Sequence, residues 1–162
     1  MKFFTSTTLL FTAINAVIAA TIPKHLSPTP WITAEGGFVE SANSTLERRT
    51  GTEVTTCYNI GTAMDRAPAI STIDDFCTRA IGQTLKDGSS FEFRYDYGTV
   101  TALLSAQAIN GCTFTIDGNC NRLLRVPLDG CNTNGENGKQ GGYVTDICGQ
   151  WRFDPGSNGN DF

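Results

Sequence analysis

Histidine is almost missing from this chain. The only one, His25, precedes residue 50, and none follows it through Phe162. Across residues 50–162, a Ser-His-Asp or Cys-His nucleophile system therefore cannot be assembled. Histidine-ligated zinc hydrolysis falls to the same inventory. No Cys-x-x-Cys pair occurs among Cys57, Cys77, Cys112, Cys120, Cys131 and Cys148, so the sequence predicts no metal site. Basic charge is scarce as well. From Thr50 onward two Lys and six Arg face thirteen Asp and Glu, a net of about −5 with the signs interspersed. Phosphate neutralisation on nucleic acid is disfavoured by that balance, as is adhesion to anionic membranes. The Asp129–Gly142 segment is rich in glycine and holds Lys139, but it has no Gly-Lys-Ser/Thr and is not a phosphate cradle. No cofactor is expected.

One long apolar run exists, and it is at the start. Lys2 followed by Phe3–Ala20, ending in Val17-Ile18-Ala19-Ala20, reads as a secretory signal peptide over residues 1–20. Polar Thr5, Ser6, Thr7, Thr8, Thr12 and Asn15 dilute the run, and no basic cluster follows it, so no stable membrane anchor is expected. Residues 21–49 read as a removable pro-segment. They hold Pro23, Pro28 and Pro30, the only sequon (Asn43-Ser44-Thr45) and no sustained period, so no packed structure is predicted there. The segment ends in Arg48-Arg49, which resembles the dibasic site of kexin-type proteases. Cutting there leaves residues 50–162, one domain's worth, outside the cell.

All six cysteines fall in that domain, and an even count in a small secreted chain reads as three disulfides. Fifteen pairings are open to them. The pattern between the cysteines is mixed. Glu53–Ile60 is β-branched and aromatic, which predicts a first strand. Ala67–Leu85 carries Ile70, Ile73, Cys77, Ala80 and Ile81 at helical spacing. Phe91, Phe93, Tyr95 and Tyr97 alternate with Glu92, Arg94 and Asp96; Gly98 breaks the pattern, and a second alternation starts at Val100. That reads best as a β-hairpin, its second strand predicted to continue through Asn110-Gly111 to Ile116, while Leu103 and Ile109 blur the polar face and leave a helix through Ala102–Ala108 as the alternative. Cys120, Leu123, Leu124, Leu128 and Cys131 predict a second helix, with Asn119 as its cap and Pro127 shortening or kinking it. Tyr143–Phe153 supplies a last strand.

The order gives an α+β fold: a split β-α-β-β-α-β sandwich with two helices on one face of a four-stranded antiparallel sheet.

Several blocks carry a resemblance. They are Ser105–Ile116, Cys120 with Leu123-Leu124, Val126–Thr133, Gly138–Gly142 and Cys148-Gly-Gln-Trp-Arg-Phe-Asp-Pro155. The chain resembles small secreted cysteine-rich fungal proteins with killer-toxin-like domains, among them smut-fungus toxins, plant-pathogen effectors and modules at the ends of some chitinases. The resemblance implies an α/β sandwich and roles in antagonism, host interaction or glycan binding, with no catalytic residues to carry over. The acidic balance departs from the basic surfaces of channel-directed toxins in that group.

Expected, then, is a secreted, monomeric interaction protein without catalysis. Its partner is a host or competitor protein or a cell-wall glycan. A two-carboxylate glycosidase needs only Asp and Glu, but no spacing here marks a pair. Candidate recognition residues are Asn134, Lys139, Tyr143 and Trp151. Tyr95 and Tyr97 share a face with Phe91 and Phe93 and are assigned to the core, and adjacent Asp74 and Asp75 to a solvated helix face. The processing reading predicts that the protein recovered from medium begins at Thr50. Its mass should rise on reduction by the hydrogens of three bridges; a cysteine-bearing chain left uncut across Arg49-Thr50, or titratable thiols in the unreduced protein, would refute it.

Overall fold

The computed structural model describes residues 31–40 and 52–156. The expected signal peptide, Asn43 and Arg48-Arg49 lie outside the described residues. Ten elements follow in order: β1 (Thr33–Val39), β2 (Val54–Cys57), α1 (Arg66–Ala80), β3 (Thr84–Leu85), β4 (Ser90–Asp96), β5 (Thr101–Ala108), β6 (Phe114–Thr115), α2 (Cys120–Gly130), β7 (Gly142–Thr145) and β8 (Gly149–Gly156). The α+β class, the two helices and the antiparallel sheet agree with the sequence pattern, but the sheet is larger than predicted and the split order is not formed: β2, the expected first strand, lies at the edge against β7, and β5 pairs directly with β8. Six strands lie in the order β1-β4-β5-β8-β7-β2, every neighbouring pair antiparallel.

Both extra strands have physical reasons. The predicted single strand over Tyr143–Phe153 is a hairpin, because the Asp146 side chain accepts the Cys148 and Gly149 N–H groups at 2.8 and 2.6 Å and turns the chain. The other addition is β1, which falls inside the segment predicted to have no packed structure and pairs with β4 from Thr33↔Asp96 to Val39↔Ser90.

The β4–β5 hairpin forms where the alternation places it. Gly98 turns it at φ 81°, and its N–H donates to Asp96 Oδ1. β5 does not run on to Ile116, however. Asn110 (φ 61°) and Gly111 (φ 76°) turn the chain away after Ala108, and Phe114–Thr115 pairs instead with β3 in a separate two-stranded sheet. α1 ends at Ala80 rather than Leu85, since Ile81 is already extended. Pro127 does not end α2, which runs on to Gly130; it lies inside the helix, where it removes one N–H, and its carbonyl accepts the Cys131 N–H. Asn119 makes no side-chain cap bond to the helix; its N–H and amide donate to the Asp117 carboxylate.

The core lies between the helices and one sheet face. Phe91, Phe93 and Tyr95 of β4, Ala102, Leu104, Ala106 and Ala108 of β5, Val144 of β7, and Trp151 and Phe153 of β8 are buried with Ile73, Phe76 and Ala80 of α1 and Leu123, Leu124 and Leu128 of α2. Phe76 meets Phe91 edge-on at 5.7 Å. Three disulfides staple the layers: Cys57–Cys131 joins β2 to the end of α2, Cys77–Cys120 joins the helices, and Cys112–Cys148 joins the turns after β5 and before β8. Among the described residues no cysteine is free, and no helix is long and apolar enough to cross a membrane.

Phe76→Ala should cost about 3–5 kcal/mol of stability, whereas Ile81→Ala, at a side chain 51% exposed, should cost about 0.5 kcal/mol or less. Denaturant unfolding of the oxidised protein checks the pair, and equal losses would contradict the core assignment.

Candidate functional site

Alternate residues of the long strands point away from the helices. On β4 these are Glu92, Arg94 and Asp96; on β5 Leu103, Ser105 and Gln107; on β8 Gln150, Arg152 and Asp154; on β7 Tyr143 and Thr145. Strand register gathers them into rows. Glu92, Ser105, Arg152, Tyr143 and Thr56 lie side by side across five strands, and Arg94, Leu103 and Asp154 form the next row. Both helices and the residues beside the small sheet contribute to the opposite, buried face. What remains is a broad, polar sheet face with charges of both signs.

Its most organised part is at the β2–β7–β8 end. Tyr58, which follows β2 and whose N–H donates to Gly141 O, lies against Tyr143 with ring centroids 6.3 Å apart. Asp154 is buried at 6% exposure, with an Arg152 nitrogen 4.0 Å from its carboxylate. Burial pushes the Tyr58 phenol up to about 12, reinforced by negative Asp154 and by Tyr143, while Arg152 pulls the other way. Tyr58, Ile60, Gly61, Asp154 and Pro155 line a depression of about 290 Å³ here. Two rings tilted 56° to one another, beside a buried carboxylate and a guanidinium, offer aromatic contact to a ligand and hydrogen bonds to its polar edge.

A second feature lies between β6, α2 and the β7–β8 turn. A cleft of about 240 Å³ is lined by Phe114, Asp117, Asn119, Arg122, Asp146 and Trp151 among others. Trp151 is 3% exposed, packs on Phe114 at 5.8 Å, and its buried indole N–H has no hydrogen-bond partner. Arg122 on the rim grips Glu53 with two nitrogens at 2.7 and 3.0 Å, and that bonding holds the Glu53 carboxyl below its ordinary range.

The four sequence-predicted recognition residues do not form one site. Tyr143 is on the open sheet face, and Asn134 is exposed in the glycine-rich loop. Trp151 is a core aromatic showing the cleft only its edge. Lys139 is turned inward at 4% exposure: its ammonium donates to Asn132 O, and its backbone bridges Met64. The loop is a tied structure, as predicted, with Asn132 and Gln140 exchanging two hydrogen bonds.

Tyr95 is fully buried and donates to Asp75, which also takes Arg79; half-buried Tyr97 donates to Pro68 O. Asp74 turns instead to Arg125 of α2, so the adjacent pair diverges into structural ion pairs. Tyr58, Arg152 and Asp154 escaped the sequence reading. For Arg152 and Asp154 the signal was present, since they alternate with Trp151 and Phe153.

Among the described residues no group of three His, Cys, Asp or Glu is placed to hold a metal ion. Compared with protein-family models, curated proteins and solved structures, the chain gives no match.

Burial raises Tyr97 to about 12 as well and moves Tyr95 upward. Unfolded phenols ionise near 10, so the folded state holds these protons more tightly. Their contribution to stability is complete below about pH 10 and is lost as pH rises toward 12. Phenolate absorbance should show late-titrating groups, with denaturant stability falling over that window; a single transition near pH 10 with flat stability would contradict these placements.

Proposed function

We propose that this chain is a secreted, non-catalytic interaction protein, an effector or toxin-like factor that acts on another organism's cells or apoplast through the open face of its sheet. The observation that carries the reading is the Tyr58–Tyr143 pair beside Arg152 and Asp154, on a face that no helix covers among the described residues. Aromatic and arginine side chains on a rigid sheet contribute contact area at low entropic cost, and such groups dominate recognition surfaces. Three disulfides fit an extracellular setting. The lack of histidine beyond residue 25 removes the commonest general base from the domain. The killer-toxin-like resemblance of the Cys112–Trp151 block agrees in kind.

A glycan-binding module is the second reading, supported by the cleft floored by Phe114 and Trp151. Its unpartnered indole N–H is a donor for a sugar hydroxyl, with Asp117, Asn119 and Asp146 at the rim.

The test uses the labelled secreted protein on intact host or competitor cells and on chitin and glucan particles. Tyr143→Ala and Arg152→Ala should each weaken cell binding by about tenfold or more, the 1.4 kcal/mol expected of an interface anchor, with thermal unfolding shifted little. Cell binding unchanged by both variants would refute the sheet-face reading. Retention on polysaccharide that drops with Trp151→Phe, which keeps a smaller aromatic ring and removes the N–H, while thermal unfolding still shows a folded protein, would favour the module instead.

A further inference from the structure

Residues 33–39 belong to the segment that the dibasic pair marks for removal, yet they complete the sheet. β1 is the outermost strand and covers the outer edge of β4 over seven register positions, extended by the Ile32 N–H donating to Asp96 O at 2.6 Å. Its hold on the rest is of one kind. The ladder is main chain, while its large side chains stay in water: Ile32 is 71% exposed, and Phe38 and Val39 each 47%. Only Trp31, edge-on to Tyr95 at 5.1 Å, and the small Ala34 reach inward to the core. All three disulfides lie between Cys57 and Cys148, so none ties β1 down. The fit is still sequence-specific, because a Cβ at Gly36 would collide with the carbonyl oxygen of Glu92.

We propose that the outer edge of β4 is a strand-acceptor site whose occupant is Trp31–Val39 of this same chain, and that processing converts this strand from a covalent part of the sheet into an exchangeable peptide. A kexin-type endoprotease hydrolyses the Arg49–Thr50 peptide bond: water adds across it, leaving a carboxylate on Arg49 and an amine on Thr50. No bond in the sheet changes. What changes is concentration. A tethered strand meets its edge at an effective concentration near the millimolar range, whereas the freed strand is held only by its own affinity. Strand addition to a sheet edge gives affinity through main-chain hydrogen bonds and specificity through the residues that must fit. Here the fitted residues are Gly36 and Trp31. An edge emptied of β1 displays unpaired N–H and C=O groups above Phe91, Phe93 and Tyr95, so the retained strand also keeps the processed protein from pairing edge to edge.

This inference concerns the edge alone and stands whatever the open face recognises. The test starts from the full secreted chain, cut by a kexin-type protease and kept oxidised. On native size exclusion the fragment ending at Arg49 should co-elute with the body. An excess of fluorescein-labelled Trp31–Glu40 peptide should displace it, and the same peptide carrying Gly36→Val should bind at least about tenfold more weakly.

A body that stays folded and releases the fragment without taking up peptide overturns the proposal. A body that dimerises and refuses the peptide overturns it too, assigning the edge to a second copy. Failure of the protease to cut refutes the processing reading only, and a site-specific protease sequence placed within residues 41–47 then makes the same cut. Should the cut body unfold, hydrogen exchange on the uncut chain decides. Gly36→Val should speed exchange at the outward-facing β4 amides at least tenfold and leave β5 and β8 protected, and no selective change there would overturn the assignment.

Discussion

The fold depends on one sheet having a single oily face. Across β4, β5 and β8 two buried rows set a small residue between large ones, Phe91–Ala106–Trp151 and Tyr95–Ala102–Pro155, and flank the row Phe93–Leu104–Phe153. Alternating large and small side chains across facing positions lets layers interdigitate without voids. α1 supplies the opposing ring, Phe76, to this surface, and α2 supplies its leucines. Because strand side chains alternate with period two, burying this face obliges Glu92, Arg94, Ser105, Arg152 and Asp154 onto the other. The polar outer face is the geometric counterpart of the core, set by the same register.

The disulfides divide the molecule into clamped and unclamped parts. Their sequence separations of 74, 43 and 36 residues give each a chain-entropy contribution of about 4 kcal/mol, the same order as the whole stability of a small domain. Their ends fall at β2, both helices and the turns flanking β5 and β8. β1 lies outside every closed loop. Local stability should therefore be lowest at the β1 edge and highest in the β5–β8 centre, the gradient expected when an element has few buried apolar contacts.

Much of the core was legible because period and burial agree there. The alternation at Phe91–Tyr95 marked β4, and the helical spacing of Cys120, Leu123, Leu124 and Leu128 marked α2 despite Pro127. The cysteine count marked three bridges, though their pairing needed coordinates. Less legible were decisions made by single polar contacts. Asp146 splits one apolar run into two strands by accepting two N–H groups, and nothing in Tyr143–Phe153 announces that by composition. Lys139 reads as a surface cation in a glycine loop. It is buried because the Asn132 carbonyl meets its ammonium and the Met64 bridge draws its backbone inward. Asp154 looked like the start of a frayed tail, and is instead a buried carboxylate beside Arg152 and Tyr58.

β1 shows where pattern reading has no purchase. A strand is recognised by alternation when one of its faces is buried, and the sequence of Thr33–Val39, with paired glycines and an isolated Phe-Val, has no such alternation. It needs none. At the rim of the sheet with side chains mostly in water, the segment is held by backbone hydrogen bonds, which every residue except proline can make. The low-hydrophobicity argument for disorder assumes that ordering must be driven by buried apolar area; a ready-made edge offers main-chain pairing instead. Gly36, which by composition counts against a strand, is required because the neighbouring backbone at Glu92 leaves no room for a side chain. Shape complementarity to β4, which composition does not report, is what demands glycine at this position.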